Sequence, residues 1–386
     1  MKAVVLAAGE GRRLQPLTSR RPKPMIPVAN KPVLEYVVEA VAEAGIEEVV
    51  LVVGYKRERI QTYFENGDKW DIEITYAIQD AQLGTGHAVQ QVQSLVDNEF
   101  LVLNGDRIID ADLVEEVRET ESRETPATIS VTRVEPAQEY GITVTDDDGL
   151  VRIDEKPTGE SQSTVINAGV YRFTDTIFEA IEKCNRSPDG EVCLPSAINH
   201  LATETTVDIV KYHGRWLDVT YPWDLLFVND TIVTAHEAPE NGQVAESATV
   251  TDRVHIGEGT AIHANATVKR GTSLGPNVTV GTNAVVSNAV VMQDATIDDG
   301  AVVRDCIVDE NVTIGPNATV AGGTATVAVE ETVHTDVTLG GVIGANTRLG
   351  GGAVISPGTV IGDDVTVRDG TTVGGQIESN ATIYRG

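Results

Sequence analysis

A six-residue repeat in the last third of the chain constrains the fold more than any other feature. From residue 244 onward an aliphatic side chain or methionine returns at every sixth position, at Val244, Val250, Ile256, Ile262, Val268, Leu274, Val280, Val286 and Met292. Small or β-branched residues recur two positions earlier, and Gly, Asn and Asp stand at the intervening corners. A period of six is typical of a parallel β-helix, in which each hexad forms one short strand and a turn. The sequence therefore predicts a β-helix over residues 244–386.

The repeat is interrupted in two places. Its phase slips by one residue near 293–308 and resumes through Ile314 and Val320. It is lost over 321–338 and returns from Ile343 onward. The second interruption predicts a loop or an irregular coil inserted into the solenoid. Such an insertion could carry a function or none, and the sequence leaves both possibilities open.

The chain before residue 240 shows a different pattern, in which short apolar runs alternate with helical periodicity. The runs predict strands at 2–7, 47–53, 74–78, 100–106, 127–134 and 163–173. The helical patterns fall at 32–45, 84–96 and 224–237. Continuous apolar strands separated by helices favour an α/β domain with a mostly parallel sheet. We therefore predict an α/β domain at 1–237, a linker at 238–243 and the β-helix at 244–386.

Composition excludes several classes of protein. The 386 residues include 58 acidic and 29 basic side chains, a net charge of −29, so binding to nucleic acid through phosphate neutralisation is not expected. The acidic and lysine-poor composition favours a surface adapted to high salt, although an ordinary acidic protein has a similar composition. Three cysteines suggest neither a disulfide framework nor a metal pair. With no long apolar run and no secretory pattern at the N-terminus, the sequence predicts a cytoplasmic protein without a membrane partner.

A cluster of basic residues follows the first predicted strand. Gly9 and Gly11 come directly after the strand, and six basic residues then fall within twenty positions, at Arg12, Arg13, Arg20, Arg21, Lys23 and Lys31. A glycine turn followed by converging cations is suited to a polyphosphate. Neither a P-loop nor a GxGxxG fingerprint is present, since position 14 is leucine. On these residues alone, a solvated basic loop remains the alternative.

The string LAAGEGRRLQPLT…RPKPMIPVANKPVLEY over 6–36 resembles the signature of the sugar-1-phosphate nucleotidylyltransferases. The resemblance covers roughly residues 1–237, and the archaeal thymidylyl- and uridylyltransferases are among the family members that the chain resembles. The C-terminal hexads are similar to the left-handed β-helix of many family members. The resemblance implies a Rossmann-like nucleotidyltransferase domain followed by a left-handed parallel β-helix. It also implies a homo-oligomer, most often a trimer, assembled through the β-helix.

The resemblance assigns roles to individual residues. The expected nucleotide-binding residues are Leu6, Gly9, Gly11, Gln79, Gly84 and Thr85. The expected catalytic residues are Arg13 and Lys23. The expected sugar-phosphate ligands are Gly141, Glu155, Lys156 and Asn167, and the expected Mg²⁺ ligands are Asp106 and Asp218. His87, near the start of a predicted helix, is expected to be a packing or capping residue.

The reaction implied by the resemblance is Mg²⁺-dependent transfer of a nucleotidyl group from UTP or dTTP to a sugar 1-phosphate. The motif QLGTGHA at 82–88 is most similar to uridylyl and thymidylyl members, which favours a pyrimidine base. The sugar, glucose or N-acetylglucosamine, stays open. The attacking phosphate oxygen is already an anion, so the site needs cations to bring two anions together rather than a general base.

Two other functions are weighed against this one. Some relatives also acetylate an amino-sugar 1-phosphate in the β-helix, but the positions of their histidine and asparagine fall near Val303 and Gly322 here. The segment 324–338 contains His334, which could substitute, but no lysine or arginine to hold coenzyme A. The other alternative is a non-catalytic regulatory homologue. Such homologues typically lose the loop arginine, the lysine or the metal aspartate, and all three residues are present in this chain.

Overall fold

The computed structural model describes residues 1–120, 125–135, 140–146, 149–155, 164–184, 186, 190–235 and 243–384. The chain divides into two compact units that do not follow chain order. The first unit contains Met1–Glu10, Pro22–Met25 and Val33–Leu217. The second contains Gly11–Arg21, Ile26–Pro32 and Asp218–Gly386. The predicted linker 238–243 lies outside the described residues except for Gln243.

A nine-stranded sheet forms the centre of the first unit. Its strands are Lys2–Leu6, Glu48–Val53, Glu73–Ile78, Glu99–Asn104, Ala127–Arg133, Gly141–Thr145, Leu150–Glu155, Val165–Thr174 and Asp208–Lys211. The first four strands pair in parallel, with Lys2–Leu6 between Glu48–Val53 and Glu99–Asn104. Val165–Thr174 runs antiparallel to Glu99–Asn104 and leads into the antiparallel part of the sheet. The predicted α/β class is confirmed.

Helices cover both faces of this sheet. The α-helices of the first unit are Val33–Glu43, Arg57–Phe64, Thr85–Gln90, Ala111–Glu119, Thr176–Lys183 and Leu194–Glu204, with short 3₁₀ turns at Lys23–Met25 and Asp68–Trp70. In Val33–Glu43 the residues Leu34, Val37, Val38 and Val41 are fully buried, as the helical spacing of apolar residues predicts. Among the described residues, no helix has the length and apolarity that crossing a bilayer would require.

Most of the second unit is a β-helix. The short strands of its coils are Gln243–Val244, Thr249–Val250, Val254–Ile256, Ala261–Ile262, Thr267–Val268, Thr272–Leu274, Thr279–Val280, Val285–Val291, Thr296–Ile297, Val302–Val308, Thr313–Ile314, Thr319–Val320, Gly341–Ile343, Arg348–Leu349, Val354–Ile355, Thr359–Ile361, Thr366–Val367, Thr372–Val373, Gln376–Ile377 and Thr382–Ile383. Strands of successive coils pair in parallel, as Val244 does with Ile262 and Ile262 with Val280. Most of the repeated aliphatic residues fill one continuous core, although Val244 at its start is 45 % exposed. The predicted β-helix is confirmed.

Asparagine and aspartate at the corners explain the composition of the hexads. Asn265, Asn277 and Asn311 have φ angles of 58°, 57° and 57°, in the left-handed region that asparagine tolerates better than most residues. The corner side chains also bond between coils, since the amide of Asn277 donates to Asp294 at 3.1 Å. Asparagine corners thus tolerate the left-handed backbone, and some of them also link neighbouring coils.

The phase slip begins earlier than the sequence analysis placed it. Leu274 pairs with Val291 rather than with Met292, so this coil is one residue shorter than the coils before it. A left-handed corner at Asn288, with φ of 46°, accommodates the shorter path. The expectation that Met292 occupies the aliphatic position is therefore wrong. Its sulfur lies 2.6 Å from Nη1 of Arg21 instead.

A β-hairpin replaces the loop or irregular coil expected at 321–338. Thr324–Val329 pairs antiparallel with Thr332–Thr338, and Glu330 at the turn has φ of 52°. The coils on either side stack directly on each other, with Val308 paired to Ile343. The insertion therefore leaves the β-helix core continuous and adds an ordered arm to it.

The remaining elements of the second unit are a helix and short pieces of the basic segment. The helix Pro222–Ala235 contacts the β-helix, where the amide of Asn229 donates to the carbonyl of Gly271 at 3.0 Å. A 3₁₀ turn forms at Arg12–Leu14, and Pro27–Val28 pairs antiparallel with Lys31–Pro32. The backbone N–H of Ala29 donates to Asn229 at 3.0 Å. Two parts of the basic segment therefore fold as part of the β-helix unit.

Candidate active site

Three of the predicted site residues of the first unit lie at one edge of its sheet. Leu6 ends the first strand, and its register partner Asn104 ends the neighbouring strand two residues before Asp106. Gln79 follows Ile78, the last residue of another parallel strand. Open α/β sheets bind ligands outside the carboxyl ends of their parallel strands. The structure thus places Leu6, Gln79 and Asp106 at the edge where a ligand is expected.

A close backbone approach fixes the position of Asp106. The N–H of Gly105 donates to the carbonyl oxygen of Leu6 at 2.9 Å. A Cβ at position 105 would lie 2.7 Å from that oxygen, so a larger residue would push the two strand ends apart. Glycine in the LNGD motif therefore holds the aspartate directly beside the end of the first strand.

Two cations flank the Asp106 carboxylate. Nζ of Lys23 lies 2.6 Å from its Oδ2, and Nη1 of Arg107 lies 3.0 Å from its Oδ1. Arg107 also stacks over the ring of Trp216, with 5.3 Å between the guanidinium carbon and the ring centroid. Burial alone would raise the pKa of the Asp106 carboxyl, but the charges of Arg107 and Lys23 outweigh burial and hold that pKa well below its usual range.

Asp106 is therefore an ionised carboxylate at neutral pH. The structure brings Lys23 and Asp106 together, although they are 83 residues apart in the chain. Arg107 was not singled out in the sequence, and the available signal was a basic residue directly after the predicted metal ligand. Its contacts give it a place in the same charged cluster.

The predicted base-reading glutamine is held by a hydrogen-bond network. Gln79 is 4 % exposed, and its Nε2 donates to the carbonyl of Gly84 at 3.1 Å. The same Nε2 lies 3.0 Å from Nδ1 of His87, whose Nε2 lies 3.2 Å from the amide of Gln91. His87 therefore helps to fix the side chain of Gln79 by a hydrogen bond, which is a more specific role than the packing or capping role expected from the sequence.

The turn that carries Gly84 and Thr85 is fixed against a distant part of the chain. Gly84 has φ of 91°, and a Cβ there would lie 2.6 Å from the carbonyl oxygen of Val192. The hydroxyl of Thr85 accepts a hydrogen bond from the N–H of Leu194 at 3.0 Å. These contacts set the helix start beside Gln79 and explain why glycine stands at position 84.

The predicted sugar-phosphate residues lie on neighbouring antiparallel strands. Gly141 pairs in register with Glu155, and a Cβ at position 141 would lie 2.9 Å from the Glu155 Oε1. Asn167 lies on the adjacent strand, where its amide donates to the hydroxyl of Tyr171 at 2.7 Å. The structure thus groups three of the four residues. Lys156 lies outside the described residues.

Asp218, the second predicted metal ligand, belongs to the second unit. It ends the short strand Trp216–Asp218 and is 8 % exposed. Its Oδ2 accepts a hydrogen bond from the hydroxyl of Thr220 at 2.5 Å. Within the described ranges, no group of three or more His, Cys, Asp or Glu side chains could hold a metal ion by itself. A metal site here would thus rest on one or two carboxylates and on the substrate.

Arg13 is held within the second unit. It follows Gly11, which has φ of 70° and starts a short 3₁₀ turn. Nε of Arg13 lies 3.3 Å from Oε2 of Glu330 in the hairpin, and its guanidinium stacks 5.7 Å from the ring centroid of Tyr221. An open cavity of about 570 Å³ lies beside Arg13 and Glu330. Gly9 belongs to the first unit, and a Cβ there would contact nothing within 4 Å.

Arg20 and Arg21 of the basic segment have carboxylate partners in the β-helix. Nη2 of Arg20 lies 2.6 Å from Asp364. Nη2 of Arg21 lies 2.7 Å from Asp309 and 3.0 Å from Glu310. The expectation that the whole basic cluster converges on a polyphosphate is therefore wrong for Arg20 and Arg21. The sequence could not show this because the partners lie almost 300 residues or more further along the chain.

The two β-helix positions matched to the histidine and asparagine of acetyl transfer, Val303 and Gly322, have no titratable side chain. Val303 is fully buried in the core of the coils. His334 packs against Tyr221 and Trp223, with ring centroids 4.5 and 5.0 Å away. Its Nε2 is buried without a hydrogen-bond partner in the described part of the chain. Gly322 offers no side chain, and a Cβ there would overlap the carboxylate of Asp305.

Comparison with known proteins agrees with this arrangement. A solved structure of a putative glucose-1-phosphate thymidylyltransferase from Bacillus anthracis, in complex with a sucrose, matches 60% of this chain and 94% of its own at a TM-score of 0.56. With 24% identity, this match supports the fold alone.

Curated relatives are more similar in sequence. The bifunctional protein GlmU of Methanocaldococcus jannaschii is 39% identical over 67% of this chain. The low-salt glycan biosynthesis nucleotidyltransferase Agl11 of Haloferax volcanii is 37% identical over 67% of this chain and 73% of its own length. Glucose-1-phosphate thymidylyltransferase of Streptomyces antibioticus is 37% identical over 68% of this chain and 74% of its own. The chain spans about three fifths of the length of the GlmU relatives, 61% for the first of them.

Family models match both parts of the chain. The GMPPB C-terminal domain matches residues 240–340, and the bacterial transferase hexapeptide (six repeats) matches 340–375. The nucleotidyl transferase model matches residues 2–234, which is more than half of the chain and contains all of the predicted site residues. The chain belongs to the nucleotidyl transferase family, with a C-terminal hexapeptide-repeat region.

Proposed function

We propose that the protein transfers a nucleotidyl group from UTP or dTTP to a sugar 1-phosphate and releases pyrophosphate. Glucose 1-phosphate and N-acetylglucosamine 1-phosphate are the proposed acceptors. The names of the thymidylyltransferase and GlmU relatives support this class of substrate. The motif around Gln79 and Gly84 supports a pyrimidine base, as it did in the sequence.

The observation that carries the proposal is the cluster of Lys23, Asp106 and Arg107 at the carboxyl end of the parallel strands. Lys23 lies 2.6 Å from Asp106, and Arg107 lies 3.0 Å from it. A reaction between two phosphate anions needs fixed positive charge and an ionised carboxylate for a metal ion, in the place where the sheet binds ligands. This cluster supplies both.

Mg²⁺ is the proposed metal ion, and Asp106 and Asp218 are its proposed ligands. The lowered pKa of Asp106 keeps a hard, anionic oxygen ligand available. Mg²⁺ is commonly bound through one or two carboxylates, with water and substrate phosphates completing the coordination, so a site of two aspartates fits it. When bound, Mg²⁺ would neutralise phosphate charge.

In the proposed reaction a phosphate oxygen of the sugar 1-phosphate attacks the α-phosphorus of the nucleotide. A new phosphorus–oxygen bond forms as the bond between the α-phosphorus and its bridging oxygen breaks, and pyrophosphate leaves with the electron pair. Lys23 contacts the reacting phosphate, and Arg13 neutralises the leaving pyrophosphate after it exchanges Glu330 for phosphate. No proton needs to be removed, because the attacking oxygen is already ionised.

The remaining predicted residues orient the two substrates. Gln79, fixed by Gly84 and His87, is preorganised to read the edge of the base. Gly141 lets the sugar approach the sheet next to Glu155, and Asn167 lies on the adjoining strand. Hydrogen-bonding groups that are already held in place orient the bound substrates so that their reacting groups meet in the correct geometry.

The experiment is a matrix of UTP, dTTP, ATP and GTP against glucose 1-phosphate, N-acetylglucosamine 1-phosphate and mannose 1-phosphate, with pyrophosphate release as the readout. We expect the highest kcat/KM for a pyrimidine nucleotide with one of the first two sugars. Activity confined to purine nucleotides would contradict the proposed base preference. No pyrophosphate release from any pair would favour the non-catalytic regulatory homologue.

We also propose a cytoplasmic homotrimer that forms through residues 244–386 and is adapted to concentrated salt. A regular solenoid has flat faces that need polar cover or a partner, and the net charge of −29 is tolerated best where salt screens it. Light scattering of the full chain should give a trimer at high salt and a smaller share of trimer at low salt. A mass of about 41 kDa under both conditions would contradict the trimer.

A further inference from the structure

The segment Gly11–Arg21, which carries the catalytic Arg13, is anchored to the β-helix by a buried ion pair. Arg21 is 8 % exposed, and its Nη2 lies 2.7 Å from Oδ1 of Asp309. Asp309 is fully buried, and Glu310 lies 3.0 Å from the same nitrogen. Two carboxylates of one coil thus hold the C-terminal end of the segment.

A second anchor lies next to the first in sequence but on a different coil. The hydroxyl of Ser19 donates to Oδ2 of Asp363. Nε of Arg20 lies 3.6 Å from the same oxygen, and Nη2 of Arg20 lies 2.6 Å from Asp364. Three consecutive residues of the segment therefore contact four acidic residues of the β-helix unit.

The anchored end is connected rigidly to the glycine turn. The hydroxyl of Thr18 donates to the carbonyl oxygen of Gly11 at 2.9 Å, and the N–H of Leu14 donates to the same oxygen at 3.0 Å. Leu14 and Leu17 are fully buried. Because the two ends of the segment are bonded to each other, a displacement at Ser19–Arg21 would move Gly11 and Arg13.

A buried carboxylate such as Asp309 is unfavourable in the core of a β-helix unless it has a partner. Burial raises the pKa of Asp309 against the opposing charge of Arg21. Within its own coil Oδ1 accepts the N–H of Glu310 at 2.7 Å, while Oδ2 has no partner in the described part of the chain. The strong cationic partner of this costly charge is Arg21, in the catalytic segment.

Resting on the proposed function, we infer that Asp309 and Asp363 are positioning residues for nucleotidyl transfer. They act through Arg21, and through Ser19 and Arg20, to hold Gly11 and Arg13 in the conformation that receives the triphosphate. The β-helix then supports the segment that carries Gly11 and Arg13. Preorganised cations contribute most when they do not have to be ordered as the substrate arrives.

A matched pair of variants isolates this role. Asp363 and Asp369 occupy the same position in consecutive hexads, and each accepts a backbone N–H of the preceding coil at 2.9 Å, from Ala345 and Gly351 respectively. Asp363 also contacts Ser19 and Arg20, whereas the contact that the structure gives Asp369 lies within the β-helix. Asparagine at either position retains an oxygen that can accept the hydrogen bond from the backbone N–H of the preceding coil. Asp363→Asn therefore weakens the anchor, and Asp369→Asn is its control.

Steady-state kinetics with pyrophosphate release should separate the two substrates. In Asp363→Asn and Asp309→Asn we expect KM for the nucleotide to rise roughly ten- to a hundredfold, the scale of a lost hydrogen bond to a charged group. We expect KM for the sugar 1-phosphate to change less than about threefold, and Asp369→Asn to match wild type. An unchanged nucleotide KM in Asp363→Asn would overturn the inference while the proposed function stands. An equal rise for both substrates would also overturn it, since this would indicate a general structural defect.

A second readout does not depend on activity. Trypsin cleaves after Arg12, Arg13 and Arg20 only when the segment is accessible, so cleavage in the 41 kDa chain reports how firmly it is held. We expect faster cleavage in Asp363→Asn than in wild type and Asp369→Asn. If wild type releases no pyrophosphate from any pair, the proposed function fails. Unchanged cleavage in Asp363→Asn would then show that the anchor fails as well, whereas faster cleavage would show that the anchor exists without that reaction.

Discussion

The basic segment is divided between two regions of the molecule that use their cations differently. Lys23, in the α/β unit, is paired with Asp106, which ends a parallel strand. Arg13, Arg20 and Arg21, in the β-helix unit, are paired with carboxylates of the hairpin and the coils. A contiguous cluster of charge in the sequence thus has its carboxylate partners in two different units.

Within the β-helix unit, the ion pairs differ in how easily the carboxylate partner of the arginine is replaced. Glu330 is 49% exposed and Arg13 is 33% exposed, so solvent screens their pair and phosphate can compete for the arginine. Asp309 is fully buried, and Arg21 has no comparable freedom. Arg13 therefore remains the arginine that we propose for the substrate, whereas the buried pairing of Arg21 supports the conformation of the segment.

The largest effect is expected at Lys23. Lys23→Ala should lower kcat by roughly 10²–10³, the scale for loss of one charge contact to a transition state. Lys183→Ala, which removes an exposed lysine at the end of Thr176–Lys183, is the control and should leave kcat unchanged. The measurement is pyrophosphate release at saturating substrates. Turnover near the wild-type value in Lys23→Ala would remove this lysine from the chemistry.

The two proposed metal ligands should show the next largest effect. Asp106→Asn and Asp218→Asn each remove one anionic oxygen ligand, so the Mg²⁺ concentration for half-maximal activity should rise by about tenfold or more. Asp112→Asn, on the exposed side of a neighbouring helix, should leave the titration unchanged. If neither titration curve shifts, a site that uses both carboxylates is wrong. A shift in only one variant would restrict the site to that aspartate.

The features that could be predicted from the sequence are those with local causes. The hexad period fixed which side chains fill the β-helix core, because coil geometry repeats with the chain. Apolar strands followed by Gly9, Gln79 or Asp106 indicated where the carboxyl edge of the sheet would be. The link between Lys23 and Asp106 was available only through the family resemblance, since 83 residues separate them.

The features that could not be predicted depend on pairing between distant residues. The coil that is one residue short turns at Asn288, but an asparagine corner is compatible with either register, so Met292 was misplaced. The hairpin at 324–338 forms because its two strands pair with each other and not with a neighbouring coil of the β-helix. The role of Arg20 and Arg21 follows from their carboxylate partners in the coils, and no local sequence pattern identifies those partners.

A smaller effect is expected at the ion pair between Arg13 and Glu330, in which phosphate can most easily replace the carboxylate. Glu330→Gln removes the carboxylate that competes with phosphate for Arg13, so KM for the nucleotide should fall. An exposed ion pair contributes up to about 1 kcal/mol, which corresponds to a decrease of up to about fivefold. Glu331→Gln, the adjacent exposed residue at the hairpin turn, is the control. A rise in nucleotide KM would show instead that Glu330 helps to hold Arg13 in place.

The smallest expected effect, none at all, concerns acetyl transfer in the β-helix. The positions matched to a catalytic histidine and asparagine are the buried Val303 and the bare Gly322, and the hairpin turn carries two glutamates that repel the phosphates of coenzyme A. His334 packs against the stacked rings of Tyr221 and Trp223. We therefore expect no transfer of acetyl from acetyl-coenzyme A to glucosamine 1-phosphate or galactosamine 1-phosphate, measured as release of free thiol. Thiol release that depends on the amino sugar and is lost in His334→Gln would contradict this expectation. It would also give the β-helix a chemistry of its own in addition to its contacts with the segment Gly11–Arg21.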